Sequence, residues 1–247
     1  MDSYGKETYG ERVADMYDRW FAEYDPDAIS VLAELAGVGM ALELGIGTGR
    51  IALPLLAKKI EVYGLDAAPS MVARLRAKQG GDLAQVKIGN FADVDVEGEF
   101  AVVYVVFNTF FALPSQDEQV RCFRNVAAHL APSGCFLIEA FVPDPMRFDR
   151  GQSNRATKVT TETVELDVSQ HDAAAQHVVS QKVVITDGNV RLYPVQIRYA
   201  WPSELDLMAQ LAGLRLRHRW SNWQRAPFTS QSEKHISIYE RAERIRI

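Results

Sequence analysis

The residues best suited to binding chemistry form a glycine-rich stretch, Glu43-Leu44-Gly45-Ile46-Gly47-Thr48-Gly49, which directly follows a short apolar run. Glycine permits backbone angles and close approaches that a Cβ atom forbids, so such a loop brings main-chain amides against a ligand. Open α/β sheets bind ligands at the carboxyl ends of their strands, where this loop is expected to lie. The glycines alone do not select the ligand, because nicotinamide and flavin enzymes use similar loops.

The residues around the loop narrow the class of ligand that it can bind. The dinucleotide fingerprint requires a third glycine where this chain has Arg50. Glu43 would repel a pyrophosphate but attract a cationic amino-acid tail. A second apolar run ends at Asp66, whose carboxylate can accept both hydroxyls of a ribose; the alternative role of Asp66 is a charge at a helix N-terminus. The pattern favours a ligand with a ribose and a cationic amino-acid tail.

Short apolar runs alternate with amphipathic helices along the chain, which is typical of a parallel sheet covered on both faces. The runs lie at 40–44, 61–66, 85–88, 101–107 and 135–142, and two later runs lie at 214–220 and 234–240. Ser115 and Glu118 form a capping box, Pro69 suits a first helical turn, and Ser203 is expected to cap a later helix. We predict an α/β fold with a Rossmann-like seven-stranded sheet, helices on both faces and an antiparallel final strand.

Two segments depart from this rhythm within what is interpreted as a single domain, 1–247. Residues 157–200 alternate β-branched and polar side chains, and Asp187-Gly188 signals a hairpin, so three or four inserted antiparallel strands are expected after the fifth core strand. The insertion either roofs the site or builds a dimer. Residues 1–37 are interpreted as an N-terminal helical lid of two helices, split near Asp25 and Pro26.

These segments together resemble the class I S-adenosylmethionine-dependent methyltransferase family, in its small-molecule branch. The similar segments are the loop 43–49, the second-strand motif 65–71, the adenine-binding segment 89–93, the fourth-strand end 107–110 and the turn 130–135. They occur in the family's order over residues 38–142. Asn90 departs from the pattern, because many relatives carry Asp there.

The resemblance implies S-adenosyl-L-methionine as cofactor and S-adenosyl-L-homocysteine as product. Glu43 would orient the methionine amine through the loop, and Asp66 would bind the ribose. For Phe91 and Phe107 the alternative is core packing. The implied cofactor contacts are Tyr17, Glu43, Gly45, Ile46, Gly47, Gly49, Arg50, Asp66, Ala67, Met71, Asn90, Phe91, Ala92 and Phe107.

Methyl transfer from a sulfonium needs mainly alignment in a dry pocket, and a base only when the acceptor is a hydroxyl or an acidic carbon. The base candidates are Tyr17, Glu139 and His171. Each has a plainer alternative: Tyr17 on an amphipathic helix face, Glu139 at a strand end in solvent, and His171 in an exposed turn.

Aromatic and polar residues after the strand ends are the candidates for acceptor contact. They are Tyr9, Asn108, Phe110, Phe111 and Phe141. They suggest an apolar or ring-bearing small molecule, although core packing explains most aromatic side chains.

The chain of 247 residues carries 27 Lys and Arg against 32 Asp and Glu, a net charge of −5, so nucleic acid is not an expected partner. Its two cysteines form no CxxC pair, so no metal site is expected. With no signal-like or membrane-spanning apolar run, we expect a cytoplasmic protein with no membrane partner. A homodimer is left open.

The expected function is methyl transfer to an N, O or C nucleophile of a small molecule, in bacterial specialised metabolism by resemblance. The alternatives are a nicotinamide-dependent Rossmann oxidoreductase and a non-catalytic S-adenosylmethionine-binding scaffold.

Overall fold

The computed structural model describes residues 4–242 and is centred on a seven-stranded mixed sheet. The strands are β1 Ala41–Leu44, β2 Val62–Asp66, β3 Gln85–Ile88, β4 Phe100–Val105, β5 Leu130–Phe141, β10 Leu214–Trp220 and β11 Lys234–Arg241. Their order is β10-β11-β5-β4-β1-β2-β3, and β11 runs antiparallel to both of its neighbours. The strand order reverses between β1 and β4, which opens a crevice at their carboxyl ends. The predicted fold class is confirmed.

The N-terminal segment differs from the two predicted helices. It contains α1 Thr8–Val13, α2 Tyr17–Trp20 and α3 Pro26–Ala36. A turn after Val13, in which the amide of Met16 donates to the carbonyl of Val13 at 2.8 Å, separates α1 from α2. The predicted split near Asp25 is confirmed, because its side chain accepts from the amide of Asp27 and starts α3 with Pro26 in the first turn.

The helices on the sheet begin where the sequence supplies suitable residues. They are α4 Ala52–Ala57, α5 Pro69–Arg76, α6 Gln116–His129 and α7 Pro202–Leu211. The side chain of Ser115 accepts from the amide of Glu118 at 3.2 Å, which confirms the predicted cap. The prediction for Ser203 is wrong, because α7 begins at Pro202 with Trp201 at the N-cap. Proline suits the first turn, where its missing N–H costs no hydrogen bond.

Two hydrophobic layers cover the faces of the sheet. One contains Phe123 and Tyr239, and the other contains Leu32, Leu55 and Tyr104, all fully buried. Burying a large apolar side chain contributes about 1.5–3 kcal/mol, so these layers fix the strands that carry the loops of the crevice.

The inserted segment forms a separate four-stranded antiparallel sheet. Its strands are β6 Gln152–Val159, β7 Thr163–Asp172, β8 His177–Thr186 and β9 Asn189–Arg198, so it starts before the predicted boundary at 157. Asp187 and Gly188 both have positive φ, 43° and 77°, in the hairpin that the sequence predicts. His171 lies in β7 and not in a turn; the turn follows at 173–176.

A buried polar cluster fixes the insertion to the core. Arg198, at the end of β9, donates to Gln119 on α6 at 2.6 Å and to Glu204 on α7 at 2.7 Å. Although burial opposes ionisation of Glu204, hydrogen bonds from Gln176 and Arg198 hold its pKa below the usual value. A buried charge must be paired to be tolerated, so this cluster orients β9 relative to the sheet.

Candidate functional site

The glycine loop adopts the conformation that its sequence requires. Gly45 and Gly47 have φ of 77° and 55°, in the left-handed region. A Cβ atom on Gly45 would lie 2.5 Å from Cγ2 of Thr109. The amides of Gly45 and Ile46 both donate to the carbonyl of Leu65, at 2.7 and 3.0 Å, so the loop is tied to the end of β2. The backbone of Gly45 and Gly47 therefore lines the crevice directly.

Asp66 connects β2 to the same loop. Its Oδ2 accepts from the amide of Gly47 at 2.7 Å, and its Oδ1 accepts from the amide of Ala68 at 2.9 Å. Burial raises the pKa of Asp66, and the two amides partly oppose that shift. A carboxylate has about four acceptor sites, so each oxygen keeps capacity for a further donor. Asp66 lines the crevice and can accept hydroxyls of a ligand there.

Glu43 lies beneath the loop. Its side chain is buried, and the hydroxyl of Tyr104 donates to its Oε2 at 3.0 Å. Burial raises the pKa of Glu43 to about 8, and the hydrogen bond from Tyr104 opposes the rise. Glu43 is not among the residues that line the crevice. The resemblance implies that Glu43 acts on the ligand through the loop, and this stays a prediction.

The crevice encloses a cavity of about 330 Å³ between the core sheet, the N-terminal segment and the insertion. This volume lies within the range of small-molecule sites, roughly 300–1,000 Å³. Its lining residues are Tyr4, Lys6, Tyr9, Gly10, Tyr17, Gly45, Gly47, Asp66, Ala67, Ala68, Met71, Phe91, Phe107, Asn108, Thr109, Ala112, Phe141, Val195, Gln196 and Ile197. The cavity thus combines glycine backbone and a carboxylate with a largely apolar wall.

One end of the cavity is an apolar slot beside Asp66. Ala67, Met71 and Phe91 line it, and they fit the flat face of a purine. Asn90 is turned away: its Nδ2 donates to Glu118 at 3.1 Å, and its Oδ1 accepts from the amide of Ala92 at 3.0 Å. Asn90 therefore shapes the turn that carries Phe91 and does not line the slot.

The other end is closed by Phe107, which has a left-handed backbone (φ 57°), as does Asn108 (φ 66°). The Phe107 amide donates to Oε2 of Glu139 at 3.1 Å. The Arg50 guanidinium lies 4.2 Å above the Phe107 ring, and the Phe21 ring is 5.1 Å from it between centroids. Phe107 also lines two open recesses, of about 400 and 520 Å³, so it borders the cavity and both recesses.

The N-terminal segment is clasped to the glycine loop by Asp18. The Thr48 hydroxyl donates to Asp18 Oδ1 at 2.6 Å, and Lys78 forms an ion pair with Asp18 at 2.8 Å. Partial burial opposes ionisation of Asp18, but the hydrogen bonds from Lys78 and Thr48 lower its pKa. This clasp places Tyr17, the preceding residue, in the wall of the cavity.

The three base candidates do not come together. Tyr17 lines the cavity, whereas Glu139 binds the Phe107 amide, the Trp223 indole N–H at 3.0 Å and Lys234 at 3.5 Å. His171 bonds to the Tyr199 hydroxyl at 2.9 Å and stacks on Phe148, outside the cavity. Its place on the inserted sheet, behind Phe141 and Ile197, removes it from the crevice.

The acceptor candidates divide into two sets. Tyr9, Asn108 and Phe141 line the cavity. Phe110 and Phe111 are fully buried in the core, where Phe110 packs edge-on against Phe123, so core packing accounts for them. Ile46, Gly49 and Ala92 also do not line the cavity, and Arg50 lines the neighbouring recess with Phe107.

The sequence did not indicate several lining residues. Tyr4 and Lys6 precede the first helix, and Val195 and Ile197 belong to β9 of the insertion. The Tyr4 hydroxyl accepts a hydrogen bond from the amide of Gln196 at 3.2 Å, which joins the N-terminal segment to β9 over the cavity. The alternating side-chain directions along β9 could have indicated Val195 and Ile197, because residues two apart share one face of a strand. The inserted sheet therefore forms part of the roof, one of the two roles left open by the sequence.

Within residues 4–242 no three His, Cys, Asp or Glu side chains are grouped so that they could hold a metal ion. Over the same part of the chain, no helix has the length and apolar character needed to cross a membrane.

Comparison with known proteins identifies the family. Residues 41–134 match a family model described as a methyltransferase domain. The chain is also similar to the solved structure of the CcbJ methyltransferase from Streptomyces caelestis, at 37% identity with a TM-score of 0.91, over 97% of this chain and 100% of that one. The chain belongs to the class I S-adenosylmethionine-dependent methyltransferases.

Curated relatives of this methyltransferase are more distant. It is similar to the cypemycin N-terminal methyltransferase of Streptomyces sp, with 27% identity over 94% of this chain and 97% of that protein. It is also similar to dTDP-4-amino-2,3,4,6-tetradeoxy-D-glucose N,N-dimethyltransferase of Saccharopolyspora spinosa, with 28% identity over 53% of this chain and 55% of that protein. The enzyme class and its cofactor, S-adenosylmethionine, follow from the family.

Proposed function

We propose that this methyltransferase transfers the methyl group of S-adenosylmethionine to an amine nitrogen of a small molecule in bacterial specialised metabolism. The observation that carries the proposal is the composition of the cavity wall. Its titratable residues, within the described chain, are Tyr4, Lys6, Tyr9, Tyr17 and Asp66. An amine attacks without a protein base once it is neutral, whereas a hydroxyl usually requires one.

The cavity offers poor bases. Burial raises the pKa of Tyr4, Tyr9 and Tyr17 above the ordinary tyrosine value, so all three are neutral at pH 7. Asp66 already accepts two backbone amides at the far side of the loop. Tyrosine hydroxyls in this state can donate hydrogen bonds and orient an acceptor, which favours catalysis by alignment.

The residues present fit the cofactor. Gly45 and Gly47 expose their backbone to the cavity, Asp66 has acceptor capacity for ribose hydroxyls, and Met71 with Phe91 offers an apolar wall for adenine. When bound, S-adenosylmethionine supplies an electrophilic methyl on a sulfonium. Tyr17 and Phe107 line that end of the cavity, where they would orient the acceptor toward the methyl group.

Arg50 is suited to the carboxylate of the methionyl tail. Its guanidinium lies over Phe107 and donates to the carbonyl of Glu23 at 3.2 Å. Within residues 4–242 it forms no ion pair with a carboxylate, so its other N–H groups are available to one.

We assign the acceptor to the open recess of about 520 Å³ beyond Phe107, Asn108 and Phe141, which also line the cofactor cavity. The recess carries Glu139 and Glu233 against Lys234, so its net charge favours an approaching ammonium ion over an anion. Glu139 already accepts from the Phe107 amide and the Trp223 indole, and Glu233 is exposed to solvent, so we assign neither carboxylate as a base. The names of two relatives specify an N-terminal methyltransferase and an N,N-dimethyltransferase, which agrees with a nitrogen acceptor.

The test is turnover of methyl-labelled cofactor with matched pairs of small acceptors that differ only in an amine or a hydroxyl. We expect labelled product and S-adenosylhomocysteine from the amine members, with rates that rise as the amine loses its proton. Asp66→Ala is expected to reduce turnover, while the exposed Leu211→Ala leaves it unchanged. Transfer to hydroxyl or carbon acceptors alone would contradict the nitrogen assignment, and cofactor binding without any turnover would contradict the enzymatic one.

A further inference from the structure

The inserted sheet has an apolar face that points away from the cofactor cavity. Its cross-strand registers align one side chain from each strand into rows across β6, β7, β8 and β9. One row is Val159, Val164, Ile185 and Val190, and the next is Ala156, Leu166, Val183 and Leu192. Two complete rows of aliphatic side chains therefore lie side by side on one face.

The opposite face of the same sheet carries both polar and apolar side chains and faces the rest of the chain. Glu165 and Lys182 form an ion pair there at 2.8 Å, and Lys182 lies 5.0 Å from the centroid of the Trp20 ring. Tyr193 packs edge-on against Trp20 at 4.7 Å between centroids, and Val195 lines the cavity. Along β9, Tyr193 and Val195 alternate with Leu192 and Pro194, so these latter residues point outward.

The apolar character of the outward face departs from the usual arrangement. An antiparallel sheet with one solvated face normally turns its apolar side chains inward and its polar ones outward. Here Val190 and Leu192 are 60% and 53% exposed, and Val159 is 70% exposed. Contiguous apolar surface of this kind on a folded protein marks an interaction site.

The outward rows carry no charge. The two rows that continue the face are Asn154, Val168, Gln181 and Pro194, then Gln152, Gln170, Val179 and Gln196. A two-fold axis places the same patch against itself, so any charge near the axis would meet its own copy. An uncharged aliphatic patch with an amide border avoids that repulsion, and the cores of homodimer interfaces are depleted in charge in the same way.

The size of the face agrees with a dimer. Strands about 4.8 Å apart and up to 10 residues long give a face of roughly 600 Å². A standard interface buries about 600–1,000 Å² on each partner, so the face reaches the lower end of that range.

From these observations we infer that a second copy of this chain covers the outer face of the inserted sheet, packing sheet against sheet around a two-fold axis. The cavity is roofed by the inner face of the same strands, so the partner copy would hold β9 from outside while Val195 and Ile197 line the cavity from inside. This inference concerns assembly and does not rest on the proposed acceptor chemistry.

The test is sedimentation velocity of the full chain from about 0.1 to 50 µM. We expect the wild type to sediment with the mass of two chains. Leu192→Glu places a like charge on each side of the axis, and we expect the dimer dissociation constant to rise at least 100-fold. The control is Leu207→Glu on α7, where Leu207 is 60% exposed, and it is expected to sediment as the wild type does.

Circular dichroism and thermal unfolding of each variant separate loss of the interface from loss of the fold, because Leu192 is exposed within one chain. A monomeric wild type across this range would overturn the inference, as would a Leu192→Glu protein that dimerises as tightly as the wild type. A monomeric wild type that floats with phosphatidylcholine vesicles would assign the face to a lipid surface instead, which also overturns it.

Discussion

Oδ2 of Asp66 accepts the amide of Gly47 at 2.7 Å, which joins the end of β2 to a loop 19 residues earlier in the chain. Each half of the cofactor site therefore depends on the other. Asp66→Ala removes this bond together with the proposed ribose acceptor, and we expect S-adenosylhomocysteine to bind at least tenfold more weakly, about 1.4 kcal/mol. Calorimetric titration measures the change.

Asp95→Ala is a matched control, because Asp95 is an exposed carboxylate that pairs with Lys87. It should leave the dissociation constant of S-adenosylhomocysteine unchanged. An Asp66→Ala protein with the affinity of the wild type would show that the ribose assignment is wrong.

Gly45→Ala tests the loop backbone. The new Cβ would meet Thr109 at 2.5 Å, and φ of 77° is strained for alanine, so we expect a loss of about 2–4 kcal/mol in the free energy of unfolding. Urea denaturation measures that loss. Thr109→Ser removes the clashing Cγ2 methyl, so the double variant should recover part of the stability but keep the backbone strain. Full stability of the single variant would be inconsistent with this loop geometry.

Glu43 should make stability depend on pH. Its pKa is about 8 in the folded chain and 4.5 as an ordinary value, so the folded state retains a proton that the unfolded state loses between these values. The contribution of Glu43 to the free energy of unfolding is therefore fully present below pH 4.5. It falls by a few kcal/mol as the pH rises to about 8, and above that pH it is constant.

Urea unfolding of the wild type and of Glu43→Gln at pH 5.5 and 8.5 measures this effect. Between pH 5.5 and 8.5 the free energy of unfolding should fall more in the wild type than in Glu43→Gln. Parallel pH dependence in both proteins would show that Glu43 titrates normally.

Glu139 is expected to position Phe107 and not to take a proton from the acceptor. Its carboxylate binds the Phe107 amide and the Trp223 indole, so Glu139→Ala should lower kcat by roughly tenfold. Glu139→Gln keeps an acceptor oxygen and should recover most of the rate. The pH profile of kcat/KM should be the same in all three proteins. Loss of an acidic limb in both variants would instead identify Glu139 as a general base.

The core fold was predictable because its signals are local. The apolar runs, the Ser115 cap and the Asp187-Gly188 hairpin each depend on neighbouring residues, and the structure contains all of them. One boundary was wrong: β5 begins at Leu130, inside the segment 130–135 that was interpreted as a turn. The helix start at Pro202 was missed because serine is a preferred cap by type, whereas proline fixes the first turn one residue earlier.

The site was predictable only in part. Gly45, Gly47 and Asp66 line the cavity at strand ends, as the loop pattern indicates. The Tyr4 hydroxyl accepts the amide of Gln196, 192 residues further along the chain, and no local pattern contains such a long-range contact. The same limit applies to His171, whose turn-like neighbours gave no indication that β7 continues through it.

The most direct test of the central claim, that this cavity holds S-adenosylmethionine, is calorimetric titration of the wild-type chain with S-adenosylhomocysteine and, separately, with NADH. We predict one site per chain for the thioether product, a micromolar or tighter dissociation constant, and no measurable heat from NADH. Tight binding of NADH without binding of S-adenosylhomocysteine would contradict the account.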